Sequence, residues 1–114
     1  MGFVDAIKSG FAHYVKFDGR ANRAMYWWWT LFVVLVAIVG VIIDVQLSSG
    51  VISALIGLAL FLPGLSVAIR RLHDTDKTGW FILLALIPLV GAIILLVFFL
   101  MPGTQGANRF GEQP

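Results

Sequence analysis

The chain has 114 residues, 60% of them hydrophobic and only 12% charged, with a net charge of +2. Its mean hydropathy is +0.95, and a water-soluble domain of this size needs more polar surface than that to cover a single core. No cysteine occurs, which excludes disulfides, cysteine-ligated zinc, iron–sulfur clusters and thiol nucleophiles.

Three apolar runs, Met25 to Ile43, Val51 to Ile69 and Trp80 to Met101, account for the apolar excess, and none carries an ionisable side chain in its interior. Each is about twenty residues long, the length a helix needs to cross a hydrocarbon core roughly 30 Å thick. The predicted fold class is therefore all-α. A single membrane domain over 1–114 is expected, with transmembrane helices at 25–43, 51–69 and 80–101 preceded by an amphipathic interfacial helix.

In chain order, residues 1–17 are too polar to span. At helical spacing Phe3, Val4, Ile7, Phe11, Tyr14 and Val15 share one face, and Asp5, Lys8, Ser9, His13 and Lys16 the other. Such a helix suits the plane of the membrane interface, or the end of a bundle. It does not read as a cleaved signal peptide. Gly19 marks a break, and Asn22 is placed to cap the first span. Tyr26 to Trp29 then form an aromatic belt at the membrane entry. Four consecutive aromatics surround the helix, so they are expected to anchor depth and to mark no one face.

The first span ends near Asp44. The short polar connector Gln46 to Gly50 makes the first two spans antiparallel neighbours. Pro63-Gly64 predicts a kink in the second span. Ser53 with Gly57, and Gly64 with Ala68, place small residues at a spacing that lets helix backbones approach. Pro88 and Gly91 interrupt the third run, but a front half of about eight residues is too short to cross, so one kinked helix is expected. The tail 102–114, rich in Gly, Pro and small polar residues, is expected to be flexible.

Lys8, Lys16, Arg20 and Arg23 precede the first span, and Arg70, Arg71 and Lys77 lie in the second connector. The tail has Arg109 alone. With three spans, the positive-inside bias puts the N-terminus and the 70–79 segment in the cytoplasm and the tail outside.

Chemistry has few places to reside. His73, Asp74 and Asp76 carry donor atoms that suit a divalent metal, and His13 is a fourth candidate. Three residues within four positions rarely converge, however, and no metal or other cofactor is expected. The plainer reading pairs the acids with Arg70, Arg71 and Lys77 to hold a tight turn. Arg20, Arg23, Arg70, Arg71 and Lys77 gather at one face, where guanidinium groups grip phosphate and basic pockets hold anionic phospholipid headgroups. No phosphate loop, nucleophile elbow or paired histidine is present, so no enzyme is expected. The spans lack the ionisable residues of ion-coupled carriers. Basic residues lie beside the spans and not in a groove with base-stacking aromatics, so no nucleic-acid partner is expected. What remains is a non-enzymatic membrane component that binds anionic lipid or a partner membrane protein, with a homo-oligomer in view. The alternative is a subunit of a small oligomeric transporter or pore.

Three motifs, Phe-Asp-Gly-Arg-Ala-Asn-Arg-Ala-Met-Tyr-Trp (17–27), Arg-Arg-Leu-His-Asp-Thr-Asp-Lys-Thr-Gly-Trp (70–80) and Pro-Gly-Thr-Gln-Gly-Ala-Asn-Arg-Phe-Gly (102–111), carry a resemblance. The chain resembles the YhaH-like bacterial inner-membrane proteins, a family defined by a domain of unknown function. The resemblance covers nearly the whole chain and implies the bacterial cytoplasmic membrane, with no activity or catalytic residue to carry over. Relatives often have Ser and Glu where this chain has Asn22 and Met25, so the reciprocal capping bond is lost here. Gln105 and Ala107 replace the Pro and Glu often seen in the tail.

Overall fold

Residues 2–114 are described by a computed structural model. The elements in order are α1 (Phe3–Ala12), α2 (Arg23–Leu47), α3 (Val51–Asp74), a 3-10 helix (Gly79–Leu86) and α4 (Val90–Leu100). Among the described residues the only β-type pairing is an isolated bridge between Asn108 and Gly111.

α2 and α3 are long and apolar enough to cross a membrane. At 1.5 Å per residue each runs to about 36 Å. Asn22 caps α2 as its sequence position predicts, its side-chain oxygen accepting from the Met25 N–H at 2.9 Å. α2 ends where Ser48 turns left-handed at φ 50. Asp44 does more than end a helix. Its carboxylate reaches across the connector and accepts from the N–H groups of Ile52 at 3.0 Å and Ser53 at 2.8 Å, so it caps the start of α3. The two helices come close through Gly40, where an added Cβ would lie 2.6 Å from Ile56 Cδ1. Of the small residues expected to serve that purpose, Ser53 does, its Cα 3.8 Å from that added Cβ, whereas Gly57 faces open space and the nearest neighbour of Gly64 is Trp29.

α3 continues through Pro63. A proline offers no N–H to the carbonyl four residues back, which here belongs to Ala59. The Tyr14 hydroxyl donates to that carbonyl instead. One turn further along, the Ser66 hydroxyl sits between the carbonyls of His13, at 2.9 Å, and Lys16. The segment after α1 is thereby sewn along α3.

α1 buries Ala6 and Gly10. A Cβ on Gly10 would lie 2.3 Å from the Trp29 ring, so only glycine lets the helix sit flat on that indole. Phe11 meets Trp29 edge-on at 5.2 Å, and Phe3 meets Trp28 at 5.8 Å. The aromatic run therefore divides its labour instead of ringing the helix. Trp29 is 2% exposed and Trp28 38%, while Trp27 Nε1 donates to the Phe99 carbonyl at 3.1 Å.

The third apolar run differs from the single kinked helix expected at 80–101. It forms two limbs, the 3-10 helix and α4, which reverse at Ile87-Pro88-Leu89. Proline disfavours helical backbone at the residue before it, and Ile87 is extended at φ −90, ψ 110. Gly91 then lies against the first limb, where a Cβ would stand 1.6 Å from the Leu84 carbonyl oxygen. Eight residues at about 2.0 Å and eleven at about 1.5 Å give limbs of roughly 16 Å each, half a hydrocarbon core. The hairpin leaves beside His73 and Ile69, which flank Gly79, and returns beside Arg71, which takes the Phe99 carbonyl. Both ends of the hairpin thus lie at one end of the α2–α3 pair.

The tail corrects a second expectation. Instead of a free segment on the far side, residues 102–114 fold back over the same end, with Thr104 N–H donating to the Asp74 carbonyl at 2.7 Å.

Candidate functional site: a buried arginine–aspartate clasp and an unpaired arginine

The polar cluster forms where the linker after α1, the last turn of α3 and the tail meet. Arg20, Arg70, Arg71, His73 and Asp74 are all buried there. Asp74 is its hub. One carboxylate oxygen accepts from Arg20 Nε at 2.9 Å and the other from Arg71 Nη1 at 2.9 Å. Gly103 passes so close that a Cβ would stand 2.0 Å from Asp74 Oδ2, so glycine is required at this contact.

The two guanidinium groups spend their remaining donors on backbone. Arg20 Nη1 donates to the carbonyls of Gly106 at 2.6 Å and Gly111 at 3.2 Å, and its Nη2 to Thr104. Arg71 donates from Nε to Phe99 at 3.2 Å and from Nη2 to Met101. A buried charge is tolerated when it is paired and hydrogen-bonded, and both arginines meet that condition. Sequence reasoning expected them to bind lipid phosphate. The structure instead spends them on holding the tail and the end of α4.

His73, Asp74 and Asp76, the metal candidates, do not converge. His73 Nδ1 bonds the Gly19 carbonyl at 2.9 Å, and its ring stacks on Phe110 at 4.0 Å, 1° from parallel. Asp76 pairs with Arg109 at 3.1 Å on the surface. His13, which caps the end of α1, bonds the Ser9 carbonyl. Among the described residues no three His, Asp or Glu side chains group to hold a metal ion.

Of the other basic candidates, Lys77 Nζ lies 4.7 Å from the Phe98 ring centre and donates to the Thr75 carbonyl at 3.4 Å. Arg23 is exposed and makes one long contact, 3.5 Å to the Leu100 carbonyl. It lines a cleft of about 320 Å³ together with Asn22, Asp74, Gly103 and Thr104. Arg70 is unlike all of these. It is 3% exposed, yet its Nε and Nη2 have no partner among the described residues. Its backbone carbonyl accepts from Ala21 N–H at 3.0 Å, which lays the linker across it.

Sequence reasoning missed Asn108 and Phe110. Asn108 Nδ2 donates to the His73 carbonyl at 3.0 Å, and Phe110 supplies the stacking ring. Nothing in hydropathy marks these residues, and only the tail motif 102–111 pointed to them.

The sequence matches DUF805, a family described as "Protein of unknown function", over residues 14–112. The chain belongs to the DUF805 family. The matched range takes in the linker, both long helices, the hairpin and the tail, so every contributor to the clasp lies within the family region. "Inner membrane protein YhaI" of Escherichia coli (strain K12) is 51% identical over 107 residues, covering 90% of this chain and 88% of that protein. "Inner membrane protein YhaH" of the same strain is 41% identical over 108 residues, covering 90% and 89%. No solved structure matches the chain. This DUF805 chain, with its two long apolar helices, thus has inner-membrane proteins of bacteria as its relatives.

Proposed function

We propose that this protein is a non-enzymatic inner-membrane component that holds an anionic phospholipid headgroup at Arg70. One observation carries the reading. Three arginines are buried together, two have every guanidinium nitrogen engaged, and the third has its Nε and Nη2 buried with no partner among the described residues. Burial of an uncompensated cation is costly, and the cost falls when an anion arrives. A headgroup phosphate is the anion in plentiful supply beside a helix end at the cytoplasmic leaflet, and guanidinium binds it through two parallel bonds. No ion pair joins Arg70 to a carboxylate among the described residues. Gly19, at φ +89 and loosely surrounded, gives the overlying linker a point at which to yield.

The accompanying topology has two crossings, α2 and α3, with the hairpin 79–100 re-entering from the cytoplasmic side. All eight lysines and arginines of the chain lie outside the connector 48–50, on α1, the linker, the first residue of α2, the end of α3, the turn after it and the tail. The tail now adds Arg109 to the basic side, which strengthens the positive-inside bias.

Native mass spectrometry of protein released gently from membranes tests the headgroup reading. The unaltered chain is expected to carry phosphatidylglycerol or cardiolipin, Arg70→Gln to lose it, and Arg70→Lys to retain a part. Equal lipid retention in all three rejects the reading. Replacing Arg71 as well is uninformative, because that residue holds the fold.

A further inference from the structure

The reversal between the two hairpin limbs is the part of this fold that lipid tolerates least. Leu89 stands at φ 62, ψ −60, a γ-turn of the rare, strained hand, closed by Val90 N–H on the Pro88 carbonyl at 2.7 Å. A residue other than glycine persists in such a state only where its surroundings hold it there. Yet Leu86 and Leu89 are 77% and 74% exposed. The Leu89 N–H and the carbonyls of Ala85 and Leu86 have no partner among the described residues. Leucine side chains are at ease in lipid, but bare backbone polar groups at membrane depth must be covered by protein or face water.

We propose that the tip, residues 85–89, is a contact between two copies of this chain packed about a two-fold axis. The patch is self-complementary, because it holds both an unused donor and unused acceptors. Rotated by half a turn, the same surface therefore offers the Leu89 N–H of each copy a carbonyl of the other, as an isologous interface requires. Acyl chains offer neither donor nor acceptor. A regular span of another protein has its backbone already paired within its own helix and offers little more. The depth of the tip rests on the two-crossing topology proposed above.

The chain has no cysteine, so Leu89→Cys, Leu86→Cys and Leu58→Cys each carry one thiol. Leu58, on α3, is 75% exposed and serves as the comparison. Oxidation with copper phenanthroline is run on each variant, both in inner membranes and after purification into liposomes. The two tip variants are expected to give a species of twice the chain mass in both settings, roughly tenfold above Leu58→Cys, as a self-paired patch demands. Equal yields at the three sites overturn the proposal. So does an adduct of another mass confined to native membranes, which assigns the tip to a different membrane protein. Leu86→Cys keeps the test valid if Leu89→Cys fails to accumulate. Labelling of Gln113→Cys by an impermeant maleimide from the outer side removes the depth premise, and that result is read separately from the cross-link.

Discussion

Tyr14 donates its hydroxyl to the carbonyl of Ala59, the acceptor that Pro63 leaves empty one helical turn on. A defect made by one residue is repaired by a side chain 45 positions away in sequence. Tyr14→Phe is expected to destabilise the fold by about 1 kcal/mol, the usual net worth of such a bond. In a Pro63→Ala background the helix bonds Ala59 itself, and the same substitution should then cost close to nothing. Unfolding in detergent of the four proteins measures the coupling, and equal costs in both backgrounds refute it.

Asp74 is shared between two guanidinium groups that pair with no other carboxylate among the described residues. Asp74→Ala leaves both buried and uncompensated, a change worth about 3–5 kcal/mol. The tail should also detach. Arg109, which pairs with Asp76 when the tail is docked, should become a rapid tryptic site in everted vesicles. Unchanged digestion and melting in Asp74→Ala count against the clasp.

Gly91 and Gly57 make a matched pair. A Cβ at Gly91 would collide with the Leu84 carbonyl, whereas one at Gly57 meets nothing within 4 Å. Gly91→Ala should force the limbs apart and cost more than about 2 kcal/mol, in the range of overpacked cores. Gly57→Ala should leave melting unchanged or raise it slightly. A single straight helix over 80–101 would tolerate both changes, so comparing the two distinguishes hairpin from span.

A reporter fused after Pro114 should be active as a fluorescent protein and silent as alkaline phosphatase, since the tail joins the basic end of the bundle. A chain in which the third run crosses gives the opposite pair of results.

The all-α class and the two long helices were legible because hydropathy over about twenty residues is a local property. The Asn22 cap was legible for the same reason, since donor and acceptor lie within one turn. The hairpin was not. Pro88 and Gly91 were visible, but whether a proline bends a helix or reverses it depends on Gly91 lying against the Leu84 carbonyl, a contact between separate limbs. The basic cluster was seen as a group, yet local charge does not tell which arginine is spent. Arg20 and Arg71 differ from Arg70 in reaching Asp74 and carbonyls of the tail or of the end of α4, and those partners are up to 91 positions distant. The polar tail looked free because its order comes from backbone carbonyls taken by Arg20 and from side-chain contacts to residues at least 33 positions away.

The clasp also imposes an order on biogenesis. Arg20 leaves the ribosome well before the carbonyls of Thr104, Gly106 and Gly111 that it must find, and Arg71 before those of Phe99 and Met101. Until the tail emerges, the inserted helices hold cations with too few acceptors, and a nascent chain interrupted there stays open at its base. Closure of the bundle thus waits on the emergence of residues 99–111 and cannot precede it.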